Sequence, residues 1–125
     1  MEILADTTFL IDLQRGSSVA ISFLERYSES RFYLSLVSLG ELVPGFVRLG
    51  KEKLFDFVRP FPLVPISREI AWTYGELQAD LRAKGKLIGS NDLWIAASAK
   101  VSRLTVLTKN TQHFKRVPDL EVLEY

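Results

Sequence analysis

The sequence predicts a three-layer α/β/α domain with a central, mainly parallel sheet. Short apolar runs alternate along the chain with stretches of helical periodicity. A length of 125 residues, with 47% hydrophobic and 25% charged residues, suits one compact domain over residues 1–125. No internal repeat, low-complexity tract or linker interrupts it.

Ile3-Leu4-Ala5 stops at Asp6, and Phe9, Leu10 and Leu13 follow at helical spacing, so a strand feeds a helix. Gly16-Ser17-Ser18 punctuates. Val19, Ala20, Phe23, Leu24 and Tyr27 then recur at three- and four-residue steps with polar Ser22, Glu25 and Arg26 between them, a second helix. Arg31 to Leu36 reads as a strand, and Leu39, Leu42, Val43, Phe46 and Val47 as a helix that Pro44 kinks or shifts at its start. Lys51 to Val58 makes a further short helix, and three prolines around Leu63-Val64 permit at most a short strand. Ser67 opens a long helix carrying Ile70, Ala71, Tyr74, Leu77, Gln78 and Leu81 on one face and ending near Gly85, the length of a crossover helix. After GKLIGSN, the run DLWIAASAKV is a buried helix, Leu104 to Leu107 a strand, and LEVLEY a final edge strand.

The absence of cysteine excludes disulfide frameworks, thiolate zinc sites, thiol nucleophiles and thiol redox chemistry. A single histidine, His113, excludes mechanisms that need a pair. Lys and Arg total 16 against 15 Asp and Glu, so any polyanion site must be local. Asp6 and Asp12 break the N-terminal apolar run, which is therefore neither a signal-peptide core nor a membrane span; a soluble, cytoplasmic protein is expected.

In an open parallel sheet the ligand crevice lies beyond the carboxyl ends of the strands. Asp6 follows the first strand, Glu41 lies at the start of the helix after the second, Asp92 opens the helix after GKLIGSN, and Thr108-Lys109-Asn110 ends a later strand. Three carboxylates in one small pocket repel unless a hard cation neutralises them. Oxygen ligands without a thiol or a histidine cluster favour Mg²⁺ or Mn²⁺ over zinc, and such ions suit phosphodiester hydrolysis.

With LADTTFLIDL at 4–13, SLGELVPG at 38–45, IGSNDLWIAASA at 88–99 and LTKNTQHFKRVPDLEV at 107–122, the chain resembles the PIN-domain ribonucleases, and among them the VapC-type toxins of toxin-antitoxin pairs. The resemblance covers nearly the whole chain in family order. It implies a PIN-like fold and metal-dependent endoribonuclease activity. Asp6, Glu41 and Asp92 match the acidic metal positions, and Asn110 a fourth position that is often Asp. An amide there brings no negative charge, which weakens the case for a second cation. The resemblance also implies an RNA substrate, a homodimer and a cognate VapB-type antitoxin through which any DNA contact is made.

Each residue also has a structural reading. Asp6 suits a helix N-cap, Ser38 to Glu41 fits the S-x-x-E capping box, and Asp92 suits a helix dipole. Asp12, six residues beyond Asp6, is turned away and reads as surface. His113, without an identified partner, reads as structural or exposed, while Thr108 and Asn91 are candidates for holding the carboxylates. Trp72, Trp94 and Phe46 read as core or interface residues. Arg15, Lys84, Lys86, Lys109, Lys115 and Arg116 are candidate RNA phosphate contacts, Arg15, Lys86 and Lys109 foremost. The apolar residues from Val37 to Leu49, with Leu54, Phe55 and Val58, exceed what a short helical hairpin needs and suggest a partner surface.

Two other functions fit parts of the sequence. Asn110 is compatible with a catalytically decayed module that only binds RNA or an antitoxin. A phosphoacceptor receiver domain would need an aspartate after the middle strand, where Pro62 to Ser67 has none.

Overall fold

A computed structural model describes residues 1–125. Five parallel strands, β1 (Glu2–Ala5), β2 (Arg31–Ser35), β3 (Leu63–Val64), β4 (Thr105–Thr108) and β5 (Val122–Glu124), form one sheet in the order β3-β2-β1-β4-β5. The crossovers are α1 (Thr7–Gln14) and α2 (Ser18–Arg26), then α3 (Leu36–Phe46) and α4 (Lys51–Val58), then α5 (Arg68–Ala83) and α6 (Ser90–Ser102), and finally the one-turn α7 (Thr111–Phe114).

In the central strand β1, Ile3, Leu4 and Ala5 are apolar and buried without alternation, as in a strand covered on both faces. Leu4 and Val106 face one core with Ile70, Leu77, Leu81, Leu93 and Ile95 of α5 and α6. Ile3, Ala5 and Leu107 face the other, with Phe9, Phe23, Leu42 and Leu54 of α1 to α4. The sheet is thus the middle of three layers. Phe23 meets Phe9 edge-on at 6.0 Å and stacks on Tyr27 at 4.3 Å, which fixes α2 against α1.

Local sequence explains the boundaries. The Ser67 hydroxyl accepts from the Ile70 N–H and starts α5 as expected. Ser35 does the same for Ser38, so β2 ends one residue early and α3 begins there. The expected cap at Ser38 is displaced by three residues, and Glu41 lies within α3 rather than at its start. Pro44 sits inside α3 without ending it at that point; its missing N–H deprives the Gly40 carbonyl of a partner, and the helix stops two residues later. Gly50, at φ 102°, makes the turn into α4 that a side chain would strain. The TQHF segment forms α7, a turn of helix that the periodicity did not disclose.

Strand order places the candidate site. The chain moves from β1 outward through β2 to β3, then returns across the sheet to β4 on the other side of β1. The crevice of such a sheet opens beyond the carboxyl ends of the two strands at this reversal. Ala5 pairs in register with Leu107, so the next residues, Asp6 and Thr108, stand side by side at its mouth.

Candidate active site

Asp6 is only 3% exposed. It caps α1 from an extended backbone, and its Oδ1 accepts the Thr7 N–H at 2.7 Å, so the capping role holds. Its Oδ2 accepts from the hydroxyls of Thr108 at 2.8 Å and Thr8 at 3.1 Å. Burial pushes the Asp6 carboxyl above its ordinary value; the Thr108 bond opposes that, the nearby Asp92 charge reinforces it, and the Thr8 and Thr7 bonds oppose it further. Thr108 itself accepts from the Asn110 N–H at 2.9 Å and is fully buried.

Glu41 reaches this place from α3. Thr7 Oγ1 lies 2.6 Å from Glu41 Oε1 and 2.9 Å from Ser38 Oγ. A hydroxyl has one proton to give; when it goes to the carboxylate, Ser38 donates to Thr7 in turn. The other carboxylate oxygen, Oε2, accepts from the Asn91 side-chain amide at 3.1 Å, which links α3 to the start of α6. Thr7 therefore touches both Asp6 and Glu41, a role the sequence reading missed. The signal was present: hydroxyl residues immediately following a strand-terminal aspartate.

Asp92 projects from the first turn of α6, two residues later in that helix than expected. Its Oδ2 lies 3.1 Å from His113 Nδ1 and 3.5 Å from the Asn110 amide nitrogen, which is itself 2.7 Å from Nδ1. With a proton on Nδ1 the ring donates to Asp92; with Nδ1 bare it accepts from the Asn110 amide. His113 thus has two partners that the sequence did not identify, Asp92 and Asn110, while its side chain stays 41% exposed. Asn110 and His113 are brought together because α7 places residues three apart on one side.

The three carboxylates grade from buried Asp6 through half-buried Asp92 to exposed Glu41. No three carboxylate or imidazole groups converge closely enough to form a ready-made metal cage. Neutral donors hold Glu41 and Asp6, and the His113–Asn110 pair holds Asp92, while like charges oppose closer approach. The set is an open rim of oxygen donors. A buried carboxylate whose ionisation is opposed by both burial and a neighbouring carboxylate fits a hard divalent cation, and the lack of thiols or paired imidazoles disfavours zinc.

The predicted basic residues separate. Lys109 Nζ pairs with Asp12 Oδ2 at 2.6 Å and lies 5.3 Å from the Tyr125 ring centre. Asp12 also accepts from the Tyr125 hydroxyl at 2.9 Å, so it is partly covered rather than free surface. These two bonds hold its carboxyl below the ordinary value, Lys109 contributing most. Arg15 closes the far end of α1, about 13 Å along the helix from Asp6. Lys84 pairs with Asp80, whereas Lys86, Lys115 and Arg116 are exposed and form no ion pair. Trp94 stacks on Tyr74 at 3.9 Å and Phe46 is buried, but Trp72 is 71% exposed and belongs to no core. No helix is long and apolar enough to cross a membrane.

Asp6 and Glu41 linked through Thr7, with Asp92 close to Asp6, on this topology define a class, and comparison with known proteins agrees. The PIN domain family model matches residues 3–120, and the chain belongs to that family. Among similar proteins is the Ribonuclease VapC of Rickettsia bellii, 33% identical over 98% of this chain and 96% of the relative. Ribonuclease VapC1 of Rickettsia felis is 32% identical over the same shares. Among solved structures, VapBC2 from Rickettsia felis bound to a DNA fragment from their promoter superposes with a TM-score of 0.87 and 27% identity, covering 100% of this chain and 99% of that one. VapBC-1 from nontypeable Haemophilus influenzae gives 0.87 and 26%, covering 99% and 98%.

Proposed function

We propose that the chain is a metal-dependent endoribonuclease, the toxin of a VapC-type toxin-antitoxin pair. The observation that carries this reading is the buried Asp6 carboxylate, held by three donors at the sheet's reversal point with Asp92 close enough to raise it. Matched relatives named ribonuclease VapC support it.

Asp6, Asp92 and Glu41 would hold Mg²⁺ or Mn²⁺. Such a cation supplies charge against the scissile phosphate and lowers the pKa of an attacking water. The chain's own work is positional. Thr108 and Thr8 fix Asp6, Thr7 and Asn91 fix both oxygens of Glu41, and Asn110 with His113 fixes Asp92. Water attacking phosphorus in line leaves a 5′-phosphate and a 3′-hydroxyl, without use of the 2′-hydroxyl.

An antitoxin of VapB type and a second copy of the chain complete the reading. Val43, Phe46, Val47, Lys51, Leu54 and Phe55 line a groove between α3 and α4, with Val47 70% exposed. An apolar surface of this kind calls for a protein cover. A cytoplasmic location accords with the lack of cysteine. Titration of EDTA-treated protein with Mn²⁺, followed by calorimetry, tests the metal site: saturable binding that Asp6→Asn and Asp92→Asn weaken is expected. Absence of binding at roughly millimolar Mn²⁺ would favour a decayed binding module instead.

A further inference from the structure

Three carboxylates repel an RNA phosphate, so substrate approach needs positive charge beside them. The structure offers cations on two sides of the rim, in different states. On the α1 side, Lys109 is spent on Asp12 and packed on Tyr125, and Arg15 also faces the Asp12 charge. On the α6 and α7 side, Arg116 Nη1 donates to the Leu87 carbonyl at 3.1 Å. That bond joins the segment after α7 to the loop leading into α6, and so brings Arg116, with its chain neighbour Lys115, close to the backbone beside Lys86, while the Arg116 backbone N–H also donates to the His113 carbonyl at 3.2 Å. One N–H of the Arg116 guanidinium is used; four remain, on a group whose planar fork matches phosphate.

We propose that the RNA backbone lies along this edge, with Lys86, Lys115 and Arg116 as its phosphate contacts, and that Lys109 is a structural residue outside the track. The inference rests on the ribonuclease reading and adds to it the side from which substrate is held. Fixing Arg116 on Leu87 lowers the entropy cost of ordering that side chain on a phosphate.

The test is binding of a fluorescein-labelled single-stranded RNA to the full chain in EDTA, measured by anisotropy over a salt series. The variants are Lys86→Ala with Arg116→Gln, Lys115→Ala, and Lys109→Ala. Losing two phosphate contacts flattens the plot of log affinity against log salt by about 1.4, and losing one by about 0.7. The double variant and Lys115→Ala should show these changes, with thermal melts near wild type, while Lys109→Ala keeps the wild-type slope and melts earlier. An unchanged slope in the edge variants, or a loss of slope in Lys109→Ala, would overturn the track. Failure of wild-type protein to bind or cut any RNA once Mn²⁺ is restored would instead sink the ribonuclease reading on which it rests.

Discussion

The Thr108 hydroxyl donates to Asp6 Oδ2 at 2.8 Å, joining the ends of two adjacent parallel strands that lie 102 residues apart in sequence. The bond serves the fold and the site together: it satisfies a buried carboxylate and aims it at the crevice. Thr108→Val keeps the shape but removes both the donor to Asp6 and the acceptor of the Asn110 N–H. It should cost about 2 kcal/mol in urea unfolding, the scale of a lost bond to a charged group. A variant as stable as wild type would show that Asp6 does not depend on it.

Asp6 should cost stability when no cation is bound. Its folded carboxyl lies above the ordinary value, so the native state keeps the proton more tightly than the unfolded chain. Stability therefore falls as pH rises from the ordinary carboxylate value through the folded one, and stays low at neutral pH. Asp6→Asn, which has nothing to ionise, should melt above wild type in EDTA at pH 7 and lose that advantage in acid. A variant less stable than wild type at pH 7 would contradict the assigned cause.

His113 contacts Asp92 and Asn110 and no other side chain by hydrogen bond. His113→Ala should weaken Mn²⁺ binding or turnover by about 10- to 100-fold, the usual effect of removing a group that orients a ligand. An effect under about twofold on both would return His113 to a surface residue.

Asn110→Asp places a further carboxylate beside Asp92. Like charge should lower the melting temperature in EDTA and the added donor should tighten Mn²⁺ binding. Weaker Mn²⁺ binding would mean that the amide, not a charge, is what this position requires.

The sheet was legible because Ile3-Leu4-Ala5 and Val106-Leu107 give β1 and β4 short apolar centres, and because Ser67 caps α5 by a rule that reads directly from sequence. As candidates, Asp6 and Asn110 stood out beyond strand ends and Asp92 near a helix start, while Glu41, inside α3 rather than at its start, was carried mainly by the resemblance. What escaped depends on tertiary register. Ser35 outcompeted Ser38 as the α3 cap, α7 is too short to show a period, and His113 meets Asp92 across 21 residues. Lys109 looked free because its partner Asp12 lies on a different element. Composition and spacing report which face a residue occupies, not which opposite charge arrives there.

The central claim is a water-driven, carboxylate-dependent cut, and the ends of the product report it. A mixed RNA pool should be incubated with wild-type protein and with Asp92→Asn, in Mg²⁺, Mn²⁺ or EDTA, and the new termini read. New 5′-phosphate and 3′-hydroxyl ends from wild type with metal, absent with EDTA and with Asp92→Asn, are the predicted result; 2′,3′-cyclic phosphate ends, or equal cleavage by the variant, would contradict it.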